Sequence, residues 1–244
     1  MGWGGDHTAW AFQIPALAAR YRVIAFDNRG AGQSDAPDVP YTIRGMAADA
    51  LGLLDALGIR RAHVCGASMG GMIAQELTLC APERVSTLQL HCTLARGDAY
   101  GGLLVDSLLR IREREDAAGW ARALLPWLVS RRTVAEHPEF VTLWVQRAVD
   151  NPYPTTLVGL RRQAEAVAGH DTLDRLGLIA LPTLVTTGAE DILVPPTFSR
   201  EIHARIDGSD LLVIPDAGHI HFIEQADAFN AACLAFLDAH PGAR

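Results

Sequence analysis

The chain contains no lysine; all 21 of its basic residues are arginine. That absence excludes a Schiff-base lysine, a phosphate-loop lysine and a Ser-x-x-Lys nucleophile pair. Cysteine is scarce. Cys65, Cys80, Cys92 and Cys233 lie scattered in apolar stretches, with no Cys-x-x-Cys and no zinc-like Cys/His spacing. They read as small core residues, so neither a metal nor another cofactor is expected. No run of 18 apolar residues occurs, and the opening residues lack a basic-then-apolar leader. The expectation is a cytoplasmic protein with no membrane partner. Basic blocks are absent and the net charge is −7, which argues against nucleic acid as a partner.

What remains is 244 residues at 49% hydrophobic content, enough for one domain with a full core. Its most informative stretch is Gly66-Ala67-Ser68-Met69-Gly70-Gly71. A short apolar run, Ala62–Cys65, enters it, and a helical pattern with Met72, Ile73, Glu76 and Leu77 leaves it. This is Gly-x-Ser-x-Gly in strand–turn–helix context. Ser68 would sit on a strained turn, with Gly66 and Gly70 removing the Cβ atoms that would collide across it. Its hydroxyl would then stand free, and the Met69 N–H at the helix start could face an oxyanion. The competing reading of the pentapeptide alone is a glycine-rich turn with a solvated serine.

Elsewhere the pattern predicts an amphipathic helix over Thr8–Arg20, a buried strand over Tyr21–Asp27 and a turn-rich loop to Ser34. Asp27 and Arg29 read as loop-fixing rather than catalytic. A helix runs from Thr42, its N-cap, to Leu57, with Gly58 as its stop. Val85–Cys92 alternates as a strand, with His91 a core or loop-mouth histidine. From Thr93 to Leu176 there is helical spacing only, interrupted at Pro126, Pro138, Pro152 and Pro154. Strands follow at Pro182–Gly188 and Asp210–Pro215. A helix opening at Pro195 or Pro196 lies between them, and Phe222–Ala239 closes the chain. The tail Pro241–Arg244 is expected to fray.

Four motifs stand in a fixed order: Asp27-Asn-Arg-Gly30-Ala-Gly32-Gln-Ser34, the Ser68 pentapeptide, Gly188-Ala-Glu-Asp191-Ile-Leu-Val-Pro195, and Ala217-Gly218-His219. This order resembles the α/β-hydrolase superfamily over essentially the whole chain, most weakly between Leu94 and Leu178. The resemblance implies an α/β fold with a mostly parallel central sheet, helices on both faces and an inserted helical cap. The segments would be 1–93 and 177–244 for the hydrolase core and 94–176 for the cap, in one continuous domain. It further implies a Ser68–His219–Asp191 triad, with the backbone N–H groups of Trp3 and Met69 as the oxyanion hole. His221 competes with His219, but Gly218 before His219 and Glu224 after it match the family's Gly-His-x-x-x-x-Glu. Asp216 and Glu190 compete with Asp191. Trp127, Trp144, Leu193 and Ile220 are the expected pocket residues; Trp120, Leu124 and Phe140 are further wall candidates.

The opening Met1-Gly-Trp-Gly-Gly5 resembles the family's His-Gly-x-Gly-Gly loop, with Met1 where the family has histidine. The family carries two or three strands before this loop, and none precedes it here. The expectation is a natural start about 20–30 residues upstream, enough for strands of roughly 5–6 residues. Without them, either Val23–Asp27 pairs directly with Ala62–Cys65 or a gap stays open with unsatisfied backbone groups.

The resemblance points to a serine hydrolase of a small, apolar carboxylic ester or lactone. Residues 217–229 and 57–72 look most like the enol-lactone hydrolases, although the cap residues do not match that pocket. A carbon–carbon bond hydrolase, a cofactor-free haloperoxidase, an acyltransferase, a slow-turnover binding or signalling member and an inactive fragment are the alternatives. An epoxide hydrolase or dehalogenase is disfavoured, because those carry aspartate where this chain has Ser68.

Overall fold

The computed structural model describes residues 1–241 of the chain; Gly242–Arg244, part of the tail expected to fray, lie outside the described residues. A 3₁₀ turn at His7–Trp10 is capped by Asp6, which accepts from Thr8 N, and helix α1 (Gln13–Ala18) follows. The single helix expected over Thr8–Arg20 is therefore two short pieces. Pro15 explains the break. It has no N–H and is tolerated only in a helix's first turn, whereas a continuous helix would bury it mid-way.

Helix α2 (Ile43–Ala56) starts where Thr42 Oγ1 accepts from Gly45 N at 2.9 Å. It is followed by β1 (Ala62–Ala67), α3 (Met69–Cys80) and β2 (Val85–His91). Five helices come next: α4 (Ala99–Arg112), α5 (Ala117–Leu128), α6 (Arg131–Glu136), α7 (Pro138–Asp150) and α8 (Leu157–Ala168). The chain ends with β3 (Thr183–Gly188), α9 (Pro196–Arg205), β4 (Asp210–Ile214), α10 (His221–Glu224) and α11 (Ala226–Ala239). Asp98, Asp116, Ser130 and Thr156 each cap the following cap helix by accepting from the N–H three residues on. Pro126 lies inside α5 and does not end it.

The four strands form one parallel sheet in the order β1-β2-β3-β4. β2 and β3 are buried along their whole length, as central parallel strands covered on both faces must be. Alternation divides the faces: Leu184 packs with Phe229 and Cys233 of α11, while Val185 packs with Ala74 of α3 and Ile202 of α9. Register places Ala67 beside His91 and Gly188 beside Ile214. The loops leaving all four strands therefore collect at one rim, where an α/β sheet gathers ligands. No helix among the described residues is long and apolar enough to cross a membrane.

The strand expected at Tyr21–Asp27 does not form. Those residues make no ladder contact and alternate between half-buried and exposed. A cleft of about 400 Å³ separates them from the free edge of β1. It is lined by Trp10, Leu17, Ile24, Leu54, Val64 and Phe229, among others. A strand is defined by its neighbour's hydrogen bonds, and neither edge has one here. Of the two outcomes expected for this region, the open gap is the one observed.

Candidate active site

Ser68 stands between β1 and α3 at φ 55°, ψ −121°, backbone angles that cost energy for a residue with a Cβ. The surroundings hold it there. A methyl group on Gly66 would collide with Gly70 O. Ser68 N donates to His91 O at 2.8 Å, and Ser68 O accepts from Thr93 Oγ1 at 2.7 Å. The side chain is left half-buried and facing a cavity.

The opening loop passes directly over Ser68. Trp3 Nε1 donates to Leu160 O at 2.8 Å and Thr155 Oγ1 to Gly4 O at 2.9 Å. Gly4 N donates to Gln163 Oε1 at 2.8 Å, while Gln163 Nε2 donates to Arg29 O at 2.8 Å. Asn28 Nδ2 donates to Met1 O at 2.9 Å. Gln163 is fully buried and ties the opening loop to the Arg29 loop. The sequence reading missed it; a glutamine at an apolar-face position of a cap helix was its only signal. The N–H groups of Trp3 and Met69 have no acceptor among the described residues, which leaves both free for a ligand.

His219 and Asp191 are paired across 2.8 Å, Nδ1 to Oδ2. They are 5% and 3% exposed, so the pair is shielded from solvent. Asp191 Oδ1 accepts from Leu193 N at 3.0 Å and Val194 N at 2.8 Å, which fixes the carboxylate plane. The histidine loop is tied to the cap: Ile220 N donates to Leu128 O at 3.0 Å. Glu224 strengthens that tie. Its Oε2 accepts from Gly218 N at 2.6 Å, and its Oε1 accepts from Ser130 N at 2.7 Å and Thr133 Oγ1 at 2.6 Å.

The rival residues lie elsewhere. Asp216 pairs with Arg132 on the surface, and Glu190 Oε2 accepts from Arg131 N at 3.3 Å. His221 is buried against Thr186 Oγ1, 2.7 Å from its Nε2. Burial, with His219 nearby, pushes its imidazole down to about 3. Asp27 accepts from His7 N at 2.6 Å and Gln33 N at 2.9 Å, and Arg29 pairs with Asp49; both hold the loop, as their residue types suggest. His91 is buried with Nδ1 2.7 Å from Thr186 Oγ1.

Ser68 and His219 open into one cavity of about 240 Å³. No hydrogen bond joins their side chains among the described residues; such contacts are often long until substrate is bound. Trp144, Leu193 and Ile220 are on the wall, with Trp120 and Leu124. Trp127 is not. The wall residues Trp120, Leu124 and Leu128 follow an i, i+4, i+8 row of α5, and Trp127 falls about 100° off Leu128. Phe140 stacks on Trp144 at 6.2 Å without reaching the cavity.

This geometry is that of a hydrolase with a His–Asp pair beside a serine elbow. The alpha/beta hydrolase fold family matches residues 1–226, and the chain belongs to that family. Among its relatives, a Mycobacterium tuberculosis H37Rv protein named "Putative non-heme bromoperoxidase BpoC" is 37% identical, over 96% of this chain and 90% of its own. The crystal structure of that protein superimposes with a TM-score of 0.88, at 35% identity, over 98% and 90% of the two chains. "Putative carbamate hydrolase RutD" of Variovorax paradoxus is 33% identical, over 97% of this chain and 89% of its own. The enol-lactonase of Burkholderia xenovorans LB400 superimposes with a TM-score of 0.86, at 33% identity, over 97% and 88% of the chains.

Proposed function

We propose that this chain is a cytoplasmic serine hydrolase that opens a small, mainly apolar lactone, an enol-lactone foremost, and cleaves esters of similar acyl size. The observation that carries the reading is the 2.8 Å His219–Asp191 pair opening into the same cavity as the strained Ser68. In the reaction His219 Nε2 takes the Ser68 proton as Oγ attacks the carbonyl. Asp191 keeps Nδ1 protonated and stabilises the imidazolium. The N–H groups of Trp3 and Met69 receive the oxyanion; losing one such donor costs about 10²–10³ in rate. His219 then protonates the leaving oxygen, and water, activated by the same imidazole, releases the acid.

The lactone preference draws on two further points. The apolar wall of Trp120, Leu124 and Trp144 suits a compact ring, and a relative named an enol-lactonase shares 33% identity over nearly the whole chain. The test is a panel of p-nitrophenyl esters of rising chain length plus an enol-lactone, run beside Ser68→Ala and His219→Ala. Turnover that survives Ser68→Ala would overturn the reading.

A second reading is favoured by the relative named as a bromoperoxidase. Hydrogen peroxide would replace water on the acyl-enzyme, releasing a peracid and the free serine. Bromide oxidation that needs a carboxylic acid, hydrogen peroxide and Ser68 would select it.

A further inference from the structure

The walls of the active cavity carry two arginines and one aspartate, and among the described residues only one of these charges is unmatched. Arg147 donates to Thr8 Oγ1 and stands 3.6 Å from Asp6. Asp6 also accepts from Thr8 N at 2.9 Å and Asn151 Nδ2 at 3.1 Å. That end of the cavity is thus internally neutralised. Arg112 is different. It ends α4, where the helix carbonyls favour a cation. Its guanidinium makes one hydrogen bond among the described residues, from Nη1 to Glu115 O at 3.2 Å, and no ion pair. It is half-buried on a wall otherwise built from groups such as Trp120, Leu124, Trp144 and Leu160. Its remaining N–H groups have no acceptor among the described residues.

We propose that Arg112 is a specificity-determining residue that captures a carboxylate on the substrate. The preferred substrates are then half-esters or lactones of dicarboxylic acids. The reacting carbonyl lies at Ser68, the apolar middle on the tryptophan and leucine wall, and the free carboxylate on Arg112. A planar guanidinium matches a carboxylate by two parallel hydrogen bonds, and apolar walls strengthen that pair relative to water. Arg147, held by Asp6, is not the anion site. The inference rests on the hydrolase reading above and narrows it.

The experiment compares mono-p-nitrophenyl glutarate with p-nitrophenyl pentanoate, which share chain length and differ by one carboxylate. The wild-type protein should favour the anionic ester by about tenfold in kcat/KM, the scale of a charged hydrogen bond at a half-exposed site. Arg112→Gln should bring the ratio toward one. Arg110→Gln, an exposed neighbour paired with Asp106, should leave it as in wild type. The wild-type preference should shrink with added salt. A binding arm is independent of turnover: Ser68→Ala protein is titrated with monomethyl glutarate and methyl pentanoate, read by the fluorescence of Trp3, Trp120 and Trp144. If neither p-nitrophenyl ester is hydrolysed, the hydrolase reading fails, and the titration still decides Arg112. Should the glutamine variant not fold, Arg112→Lys takes its place and should lower the ratio by losing the two-pronged contact. Equal preference in wild type and the Arg112 variant, or loss of preference only on Arg147→Gln, overturns the proposal.

Discussion

Gly2 and Ser68 are so close that a methyl group on Gly2 would lie 2.9 Å from Ser68 Cβ and 3.4 Å from its Oγ. The opening loop is therefore part of the serine's packing, and its neighbour Trp3 supplies one of the proposed oxyanion donors. Gly2→Ala must push the loop outward by a few tenths of an ångström, carrying the Trp3 N–H with it. Catalysis depends steeply on such placement, so kcat on a p-nitrophenyl ester should fall about 10–100-fold. Gly5→Ala is the control. Its methyl would meet the mobile end of Met1 at 3.4 Å, and activity should stay within about twofold of wild type. Equal kcat for wild type and Gly2→Ala would break the link between this loop and the oxyanion.

Glu224 joins the histidine loop to the cap through three accepted hydrogen bonds, one from Gly218 N beside His219. Glutamine has a single accepting oxygen and would set its NH₂ against a backbone N–H. Glu224→Gln should lower kcat about tenfold with KM little changed, since it disturbs how His219 is held rather than the cavity wall. Glu224→Ala should also lower the unfolding free energy by about 1–3 kcal/mol, because buried donors lose their partner. Urea melts and ester kinetics on both variants decide this. A rise in KM alone would assign Glu224 to the wall instead.

The positions legible from sequence are those fixed by local chemistry. Ser68 is marked by glycines on both sides, and the α2 start by Thr42. The loops carrying Asp191 and His219 each follow an apolar run ending in turn residues. What sequence did not reveal depends on distant partners. Tyr21–Asp27 has strand composition, yet its ladder needs a neighbour across the 400 Å³ cleft. The wall role of Trp120 and not Trp127 depends on how α5 is rotated against the core. Gln163 gains its role only because two loops from elsewhere in the chain reach it. The cap-helix starts were readable in principle: Asp98, Asp116 and Ser130 each precede a helix and cap it.

Three buried histidines make stability depend on pH. Burial, and His221 nearby, hold His91 well below its ordinary value; burial holds His170 at about 4 and His221 at about 3. Each therefore stays neutral in the folded state while the unfolded chain takes up a proton below about 6.5. The unfolded state binds more protons, so folding weakens as pH falls below 6.5 and keeps weakening toward the folded-state value. Each histidine contributes roughly 1 kcal/mol per pH unit in that window. Urea unfolding from pH 7 to pH 5 should show the loss. His221→Gln, which keeps a hydrogen-bonding group toward Thr186, should make the slope shallower than in wild type. An unchanged slope would mean that His221 is protonated in the folded protein.

The Val23–Phe26 segment facing the cleft should behave unlike the strands it resembles in composition. The backbone N–H groups of Val23, Ile24, Ala25 and Phe26 have no acceptor among the described residues, and Ile24 and Phe26 are each 37% exposed. β2 and β3 are paired on both sides and fully buried. Amide exchange reports such differences directly: unpaired groups exchange through local fluctuation, central strands only through large-scale opening. In native-state exchange, Val23–Phe26 should lose protection orders of magnitude faster than Leu88–Leu90 and Leu184–Thr186. The cleft wall, with Leu17, Leu54 and Phe229, should also bind an apolar dye, and Leu54→Trp should quench that binding by filling the space. Protection of Val23–Phe26 equal to that of β2 would mean that a hydrogen-bonding partner occupies the cleft in solution.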